Sequence, residues 1–333
     1  MRASGSWNHK IRHFFSESTV TGPLAVLIVI FILLSLFVPK FFSFRSVTGI
    51  INAATLTGVL TVGVAMLMIS GEFDLSVGSI MAVGGYLYGG LAMAGQPVLG
   101  LFLAILVPAL LGAINGLILV WTGIPSFIVT LGTKYLYRGL LWVITAGTML
   151  QTVDRLPIYN LFNGRFTLLN DFLPEANFRN SLIWLILLVL IFQLILSRTR
   201  FGNHVFAVGG NAGAALGQGV NVKKVKILSF AISGTLAGIS GILLFSQYYT
   251  VRVASGDGMD LSAIAAAVVG GTLITGGAGS IWGALIGALI ISMLRTGVVL
   301  MDIPFIPADN FEAIVGVTII LAAIMNNYLR NRN

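Results

Sequence analysis

The chain has 333 residues, of which 57% are hydrophobic and 9% charged. A soluble domain is about 45–50% apolar and about a quarter charged, so this composition excludes an ordinary soluble protein and predicts an integral membrane protein. The absence of cysteine excludes disulfides and thiolate chemistry, and the net charge of +8 is interpreted through the position of basic residues relative to a bilayer, not as nucleic-acid binding.

Residues 1–20 are basic and precede the first apolar run. Trp7, Ile11 and Phe14 fall on one helical face, which predicts a short helix in the cytoplasmic membrane interface. The run at 22–38 is longer than the apolar part of a signal peptide and is followed by no small-residue cleavage site. It is therefore interpreted as a retained span.

A helix that crosses a bilayer needs about 20 mostly apolar residues. By this rule residues 21–333 form one transmembrane domain with about ten spans, although nine or eleven stay open. The eighth is predicted to be short or broken, because glycines interrupt it, and glycine pairs four residues apart elsewhere predict close helix packing. Two such pairs are Gly112/Gly116 and Gly234/Gly238. The ten spans lie near 21–40, 47–70, 75–94, 98–121, 124–147, 180–197, 225–248, 260–276, 279–300 and 311–328.

The distribution of basic residues predicts the orientation. With the N-terminus inside, ten spans return the C-terminus to the cytoplasm, and the excess of lysine and arginine then lies inside, as expected for cytoplasmic loops. The basic residues on that side are Arg2, Lys10, Arg12, Arg198, Arg200, Lys223, Lys224, Lys226, Arg330 and Arg332.

One pattern occurs twice. Asp-Leu-Ser at 74–76 is followed by a glycine pair at 84–85, and Asp-Leu-Ser at 260–262 by a glycine pair at 270–271, with the same spacing. The copies follow the second and seventh predicted spans, and this odd offset would turn one copy upside down relative to the other. The pattern predicts two inverted repeats, a first half at about 21–150 and a second at about 180–328. Chance repetition in a glycine-rich and alanine-rich chain is the alternative.

Four stretches carry a family resemblance: GEFDLSVGSIMAVGG at 71–85, NGLILVWTGIPSFIVTLGT at 115–133, RFGNHVFAVGGNAGAALGQGVNVKKVK at 200–226 and DGMDLSAIAAAVVGGTLITGGAGSIWGALIGALI at 257–290. Together they resemble the sugar-type ABC importer permeases, which carry ribose, xylose, galactose or autoinducer-2. The resemblance covers nearly the whole chain, in the family's order.

The resemblance implies an all-α polytopic protein with the type II ABC importer fold, like the cobalamin importer, in a bacterial inner membrane. It implies a dimer with a second copy or a paralogue, and a central pathway that works by alternating access. It also implies two further partners: a cytoplasmic ABC ATPase, which binds ATP and Mg²⁺, and a periplasmic or lipid-anchored sugar-binding protein. The chain itself would be a translocation subunit in contact with membrane lipids, with no catalytic residue, metal or cofactor.

The resemblance places an ATPase-coupling loop at 198–226. This basic inside segment is predicted to contain turns at Gly202, Gly209, Gly210 and Asn211 and a short helix from Ala212 to Leu216. Where the family usually has an acidic and a basic residue, this chain has Ala212 and Leu216, which leaves fewer charged groups for the ATPase; a merely solvated loop is the alternative. The candidate coupling residues are Arg200, Phe201, Gly202, Gly209, Gly210, Asn211, Ala214, Ala215, Gly219 and Asn221.

Polar residues in or beside predicted spans are candidates for the translocation path or for the core of the repeats. Lys134 and Arg138 share a helical face and either line a polar path or reach outward to the membrane surface. Asp74 and Asp260 are predicted to cap helices, in preference to touching substrate. The full candidate set is Asp74, Ser76, Gly84, Gly85, Asn115, Lys134, Arg138, Asp260, Ser262, Gly270 and Gly271.

ATP hydrolysis by this chain and ion-coupled secondary transport are two further functions to compare with the sequence. No lysine follows a glycine, so a phosphate-binding loop is absent and ATP hydrolysis must come from another chain. An ion-coupled secondary transporter is the alternative function, with Asp74, Asp260 and Glu72 as its candidate ion carriers. The long basic inside segment argues against it.

Overall fold

The computed structural model describes residues 20–173, 175–301, 313–318, 320 and 324. Within them the chain is helical apart from its connections and one two-residue pair of strands. In order, the elements are α1 (Thr21–Phe37), α2 (Phe44–Ile69), α3 (Val77–Met93), α4 (Pro97–Thr122), α5 (Ser126–Thr145), β1 (Leu150–Gln151), α6 (Pro157–Asn163), α7 (Thr167–Phe172), α8 (Ser181–Arg198), α9 (Arg200–Gly210), α10 (Ala212–Gly217), α11 (Val222–Tyr248), β2 (Thr250–Val251), α12 (Met259–Val269) and α13 (Ile281–Met301).

Five of these helices, α2, α4, α8, α11 and α13, are long and apolar enough to cross a membrane, and α1, α3 and α12 are shorter apolar helices. Helices occupy the positions of the first nine predicted spans. Of the predicted tenth span at 311–328, residues 313–318, 320 and 324 are described and are helical, and the rest of it lies outside the described residues. The predicted interfacial segment at 1–20 lies outside them except for Val20. The fold is that of a multi-pass membrane protein.

Helix α11 lies at the centre and packs against α2, α3 and α4. Its contact with α4 is close because glycines face each other: a Cβ on Gly112 would lie 3.2 Å from the Cα of Gly234 and would overlap the carbonyl of Phe230. With no hydrophobic effect to join helices inside a bilayer, such close backbone packing is a main source of their association. The close packing predicted from the glycine spacing is present.

The connection between α5 and α8 joins the second half of the chain through a small ladder. Strand β1 pairs antiparallel with β2, with Leu150 opposite Val251. Below it, Tyr88, Tyr159 and Phe245 meet edge to face, with ring centroids 5.7–6.2 Å apart. This aromatic cluster fixes the connection on α3 and α11.

The two Asp-Leu-Ser copies differ in local structure. The first precedes α3, which continues through Gly84 and Gly85 to Met93. The second lies inside the first turn of α12, which ends at Val269, and Gly271 then turns the chain with a positive φ of 88°. The eighth predicted span is therefore interrupted at its glycines, as expected.

Candidate functional site

The segment between α2 and α3, residues 70–76, is not helical at its centre and is held against α5. The Phe73 amide donates to Ser126 Oγ, and the Leu75 amide donates to Thr130 Oγ1, both at 3.1 Å. Backbone amides outside a helix need partners when they lie away from water. Hydroxyls one helical turn apart on α5 supply them here, so the non-helical segment and α5 are joined directly.

Asp74 begins a chain of hydrogen bonds that crosses three helices. Its Oδ1 accepts from the Ser76 amide at 2.8 Å and from Ser76 Oγ at 2.6 Å. Ser76 Oγ in turn accepts from Asn115 Nδ2 at 2.8 Å, and Tyr137 donates to Asn115 Oδ1 at 2.8 Å. Asp74, Ser76 and Asn115 are fully buried, so each polar group depends on the next for compensation.

Two ion pairs lie beside this chain. Lys134 of α5 bonds Asp260 at 2.5 Å, and Arg138, one turn further along α5, pairs with Asp257. The aspartate of the first pair is 1% exposed, whereas that of the second is 45% exposed. The ion pair of Lys134 is therefore more buried than the ion pair of Arg138. Lys134 and Arg138 both pair with aspartates at or just before the start of α12, Lys134 with a buried one and Arg138 with an exposed one.

The prediction that Asp74 and Asp260 cap helices is wrong. The N-cap residues are Ser76 for α3 and Gly258 for α12, and neither helix has a side-chain cap. Asp74 instead closes a local turn on Ser76, and Asp260 lies within the first turn of α12. Both carboxylates are near helix N-termini, where the helix dipole favours negative charge.

Each aspartate also keeps an unused acceptor. Asp74 Oδ2 and Asp260 Oδ1 have no hydrogen-bond partner among the described residues. Both residues are inaccessible to solvent. Each carboxylate thus retains an oxygen that can accept a further hydrogen bond.

The structure brings together six of the eleven residues predicted for the path or the repeat core. The other five lie elsewhere: Gly84 and Gly85 pack on α11, Gly270 packs against Gly283, and Gly271 forms the turn after α12. Ser262 bonds the Gly258 carbonyl. The six residues that lie together form, with their partners Tyr137 and Asp257, the buried polar cluster: Asp74, Ser76, Asn115, Lys134, Tyr137, Arg138, Asp257 and Asp260.

The coupling segment at 198–226 is more helical than predicted. Gly202, Gly209 and Gly210 do not form turns, because they belong to α9. The small size of Gly202 and Gly209 serves packing instead, since a Cβ on Gly202 would overlap the carbonyls at the end of α8 and a Cβ on Gly209 would overlap the Ile69 carbonyl. The predicted short helix is present as α10, and Asn211 is its N-cap, accepting from the Ala214 amide at 2.9 Å.

The remaining coupling candidates divide into anchoring and exposed residues. Ala215 is buried, and Phe201 packs on the core. Asn221 caps α11 through the Lys224 amide, and Gly219 has a positive φ of 83°. Exposed positions cluster on α10 and its flanks: Arg200, Gly210, Asn211, Ala214 and Gly219, together with Leu216, which is 64% exposed.

Three partners were missed by the sequence reasoning. Glu72 was noted only as an added negative charge, but it forms an ion pair with Lys226. Asp257 was counted as an outer-loop charge, although it pairs with Arg138. A usable signal existed for Tyr137, which lies three residues after the candidate Lys134 on α5 and so on the same helical face. Asp257 lies in the turn before α12, where no helical spacing points to it.

A family model described as "Branched-chain amino acid transport system / permease component" matches residues 46–323. The chain belongs to this permease family. It is 32% identical to the ribose import permease protein RbsC of Bacillus subtilis (strain 168), over 94% of both chains. It is 31% identical to the autoinducer 2 import system permease protein LsrC of Photorhabdus luminescens, over 93% of this chain and 90% of the relative.

A third relative is named for a different sugar. The L-arabinose ABC transporter permease protein AraH of Azospirillum brasilense is 32% identical over 94% of this chain and 88% of its own. No solved structure matches the chain. These relatives place the chain among the sugar-type ABC importer permeases, which are the multi-pass membrane subunits of such transporters.

Among the residues that the structure describes, no group of three or more histidine and acidic side chains is placed to hold a metal ion. The buried polar cluster is a set of ion pairs and hydrogen bonds, which can bind and orient polar groups.

Proposed function

We propose that this permease moves a sugar or a sugar-like small polar solute into the cytoplasm by alternating access, powered by a separate ABC ATPase. The near full-length similarity to permeases named for ribose, arabinose and autoinducer-2 carries the proposal. A periplasmic or lipid-anchored binding protein would deliver the solute. A second copy or a paralogue would complete the pathway.

In this proposal the chain adopts the type II ABC importer fold, with about ten spans in two inverted repeats and both termini in the cytoplasm. The Asp-Leu-Ser repeat supports the two halves, and the β1–β2 ladder supports their direct contact. The exposed apolar face of α5, with Tyr135, Leu136 and Val143 more than half exposed, supports contact with lipid or with the second permease.

The buried polar cluster would be the movable part of the pathway. Sugars are recognised by side chains that offer both donors and acceptors, and the cluster holds both: the cations of α5 and the acceptor oxygens of Asp74 and Asp260 that have no partner. Opening the cluster would expose these groups together. Closing it would satisfy them internally, which gives two alternative arrangements of the same helices.

The coupling segment would rest on the ATPase through α10. This helix is capped by Asn211 and anchored by Ala215, and it presents Ala214 and Leu216 outward. Because Ala212 and Leu216 stand where charges are usual in the family, the contact would depend on shape and apolar area more than on ion pairs. ATP-driven closure of the ATPase would then displace a rigid helix.

The experiment is uptake by proteoliposomes that contain the purified permease, the ATPase that co-purifies with it after mild solubilisation, and the matching binding protein. We expect uptake of radiolabelled ribose or arabinose only when ATP and Mg²⁺ are on the side of the bilayer that carries the ATPase and the binding protein is on the opposite side. Uptake by the permease alone, driven by a proton or sodium gradient, would contradict the proposal.

That second outcome would support the ion-coupled alternative. In the structure Glu72 and Asp260 are each paired with a lysine, so two of its three candidate carriers are already neutralised. Of the three, Asp74 is the one that has no cation partner among the described residues. An Asp74→Asn variant that loses gradient-driven uptake would identify it as the carrier.

A further inference from the structure

The end of α2 touches the coupling segment. Gly209 of α9 lies so close to α2 that a Cβ there would overlap the Ile69 carbonyl, and the same carbonyl accepts from the Gly277 amide at 2.9 Å. Next along the chain, Glu72 pairs with Lys226, near the start of α11. Residues 69–72 therefore contact α9 and α11, the two helices that flank α10.

The Glu72–Lys226 ion pair joins residues 154 positions apart in sequence. The side chain of Glu72 is 10% exposed and that of Lys226 is 23% exposed. A carboxylate with so little exposure is unfavourable unless it is paired and hydrogen-bonded. The pair therefore fixes where the non-helical segment 70–76 lies relative to the first turns of α11.

Segment 70–76 also contacts the buried polar cluster, through residues 73–76. Phe73 and Leu75 bond the hydroxyls of Ser126 and Thr130 on α5, and Asp74 bonds Ser76, which bonds Asn115. A displacement of 70–76 would thus move α5, and α5 carries the lysine that pairs with Asp260. These contacts form one continuous connection from the coupling segment to the cluster.

A cavity beside the ion pair leaves it room to open. It has a volume of about 310 Å³ and is lined by Glu72, Pro125, Ser126, Val222 and Lys226, among others. Since a water occupies about 30 Å³ of liquid, it has space for about ten waters. Separated charges would be solvated there, so the pair can break and re-form as the helices move.

We propose that the Glu72–Lys226 ion pair positions segment 70–76 so that movement of the coupling segment reaches the buried polar cluster, and thereby keeps ATP hydrolysis coupled to solute passage. The inference rests on the proposed function. Glu72 and Lys226 act through the segment and do not touch the solute, so both are positioning residues. Losing the pair would leave hydrolysis running with less transport per ATP.

The test measures solute imported per ATP hydrolysed in proteoliposomes with the full complex, using labelled ribose or arabinose, whichever the wild type imports. Glu72→Gln and Lys226→Met are expected to lower this ratio by at least about fivefold, the lower end of typical coupling between sites. The charge-reversed double variant Glu72→Lys/Lys226→Glu is expected to restore most of it, because the pair would re-form with opposite polarity. Glu175→Gln, a change at an exposed carboxylate, is the matched control and should leave the ratio unchanged.

Single variants that keep the wild-type ratio would overturn the inference while leaving the proposed function intact. If a single variant does not fold, the double variant decides: a folded double variant with a low ratio contradicts a role for the ion pair. A failure of the proposed function would be visible earlier, as wild-type uptake without any need for ATP. The two failures are thus distinguished within one set of measurements.

Discussion

Individual side chains in the permease interior are stabilised by partners from distant parts of the sequence. Lys134 would be costly within a helix surrounded by apolar side chains, and Asp260 equally so at the start of α12. Each compensates the other. The same reasoning applies to Ser76 and Asn115, whose polar atoms are satisfied only as members of a hydrogen-bonded chain.

Lys134→Met tests the first of these arrangements. It leaves the Asp260 carboxylate buried and unpaired, so we expect the free energy of unfolding to fall by about 3 kcal/mol, the lower end for breaking a buried pair because Lys134 is partly exposed. Reversible unfolding in detergent micelles measures it. Arg138→Met, at the more solvated pair, should cost only ~0–1 kcal/mol; equal losses for both variants would contradict the difference in burial.

Asn115→Ala tests the hydrogen-bonded chain. It removes the amide that donates to Ser76 Oγ and accepts from the Tyr137 hydroxyl, while these hydroxyls keep Asp74 and the Leu111 carbonyl as partners. Because two buried hydrogen bonds are lost, we expect a loss of about 1–3 kcal/mol in the free energy of unfolding. Asn203→Ala, at an exposed position on α9, is the control and should change stability little. If both variants unfold at the same denaturant concentration, the chain contributes nothing to stability.

At the scale of helices, the central contact between α4 and α11 depends on glycine. Gly112→Val adds a branched side chain whose Cβ alone would overlap the Phe230 carbonyl and lie against Gly234. We therefore expect it to separate the helices and to abolish or strongly reduce the yield of folded protein. Gly132→Ala is the matched change on α5, at a glycine with open space around it.

Because alanine favours a helix over glycine by about 0.5–1 kcal/mol, Gly132→Ala should be neutral or slightly stabilising. Size-exclusion profiles and thermal midpoints of the two purified variants compare them. A normally folded Gly112→Val protein would show that α4 and α11 do not pack as closely as the structure indicates.

Sequence reasoning succeeded at this scale where the signal was periodic or local. Apolar runs located the helices, and the glycines after Val269 located the break. It failed where the signal was tertiary: Gly202 and Gly209 look like turn formers in sequence, and only the carbonyls at the end of α8 and of Ile69 explain them as packing sites. The Glu72–Lys226 pair was out of reach for the same reason, since no local pattern links residues so far apart.

The whole molecule is proposed to work as a conduit whose moving parts are driven from one side. The coupling segment, the non-helical segment 70–76 and the buried polar cluster form a connected series. The β1–β2 ladder and the aromatic cluster hold the connection between the halves at the far end. This arrangement requires α10 and the α5–α8 connection to face opposite sides of the membrane.

Site-directed cysteine labelling measures that requirement most directly, because the chain has no cysteine of its own. Val153→Cys and Leu216→Cys replace side chains that are 89% and 64% exposed, one in the α5–α8 connection and one on α10. With a membrane-impermeant maleimide applied to spheroplasts, we expect Val153→Cys to be labelled at once and Leu216→Cys only after the membrane is opened. Labelling of Leu216→Cys in sealed spheroplasts would contradict the account, because α10 would then be out of reach of a cytoplasmic ATPase.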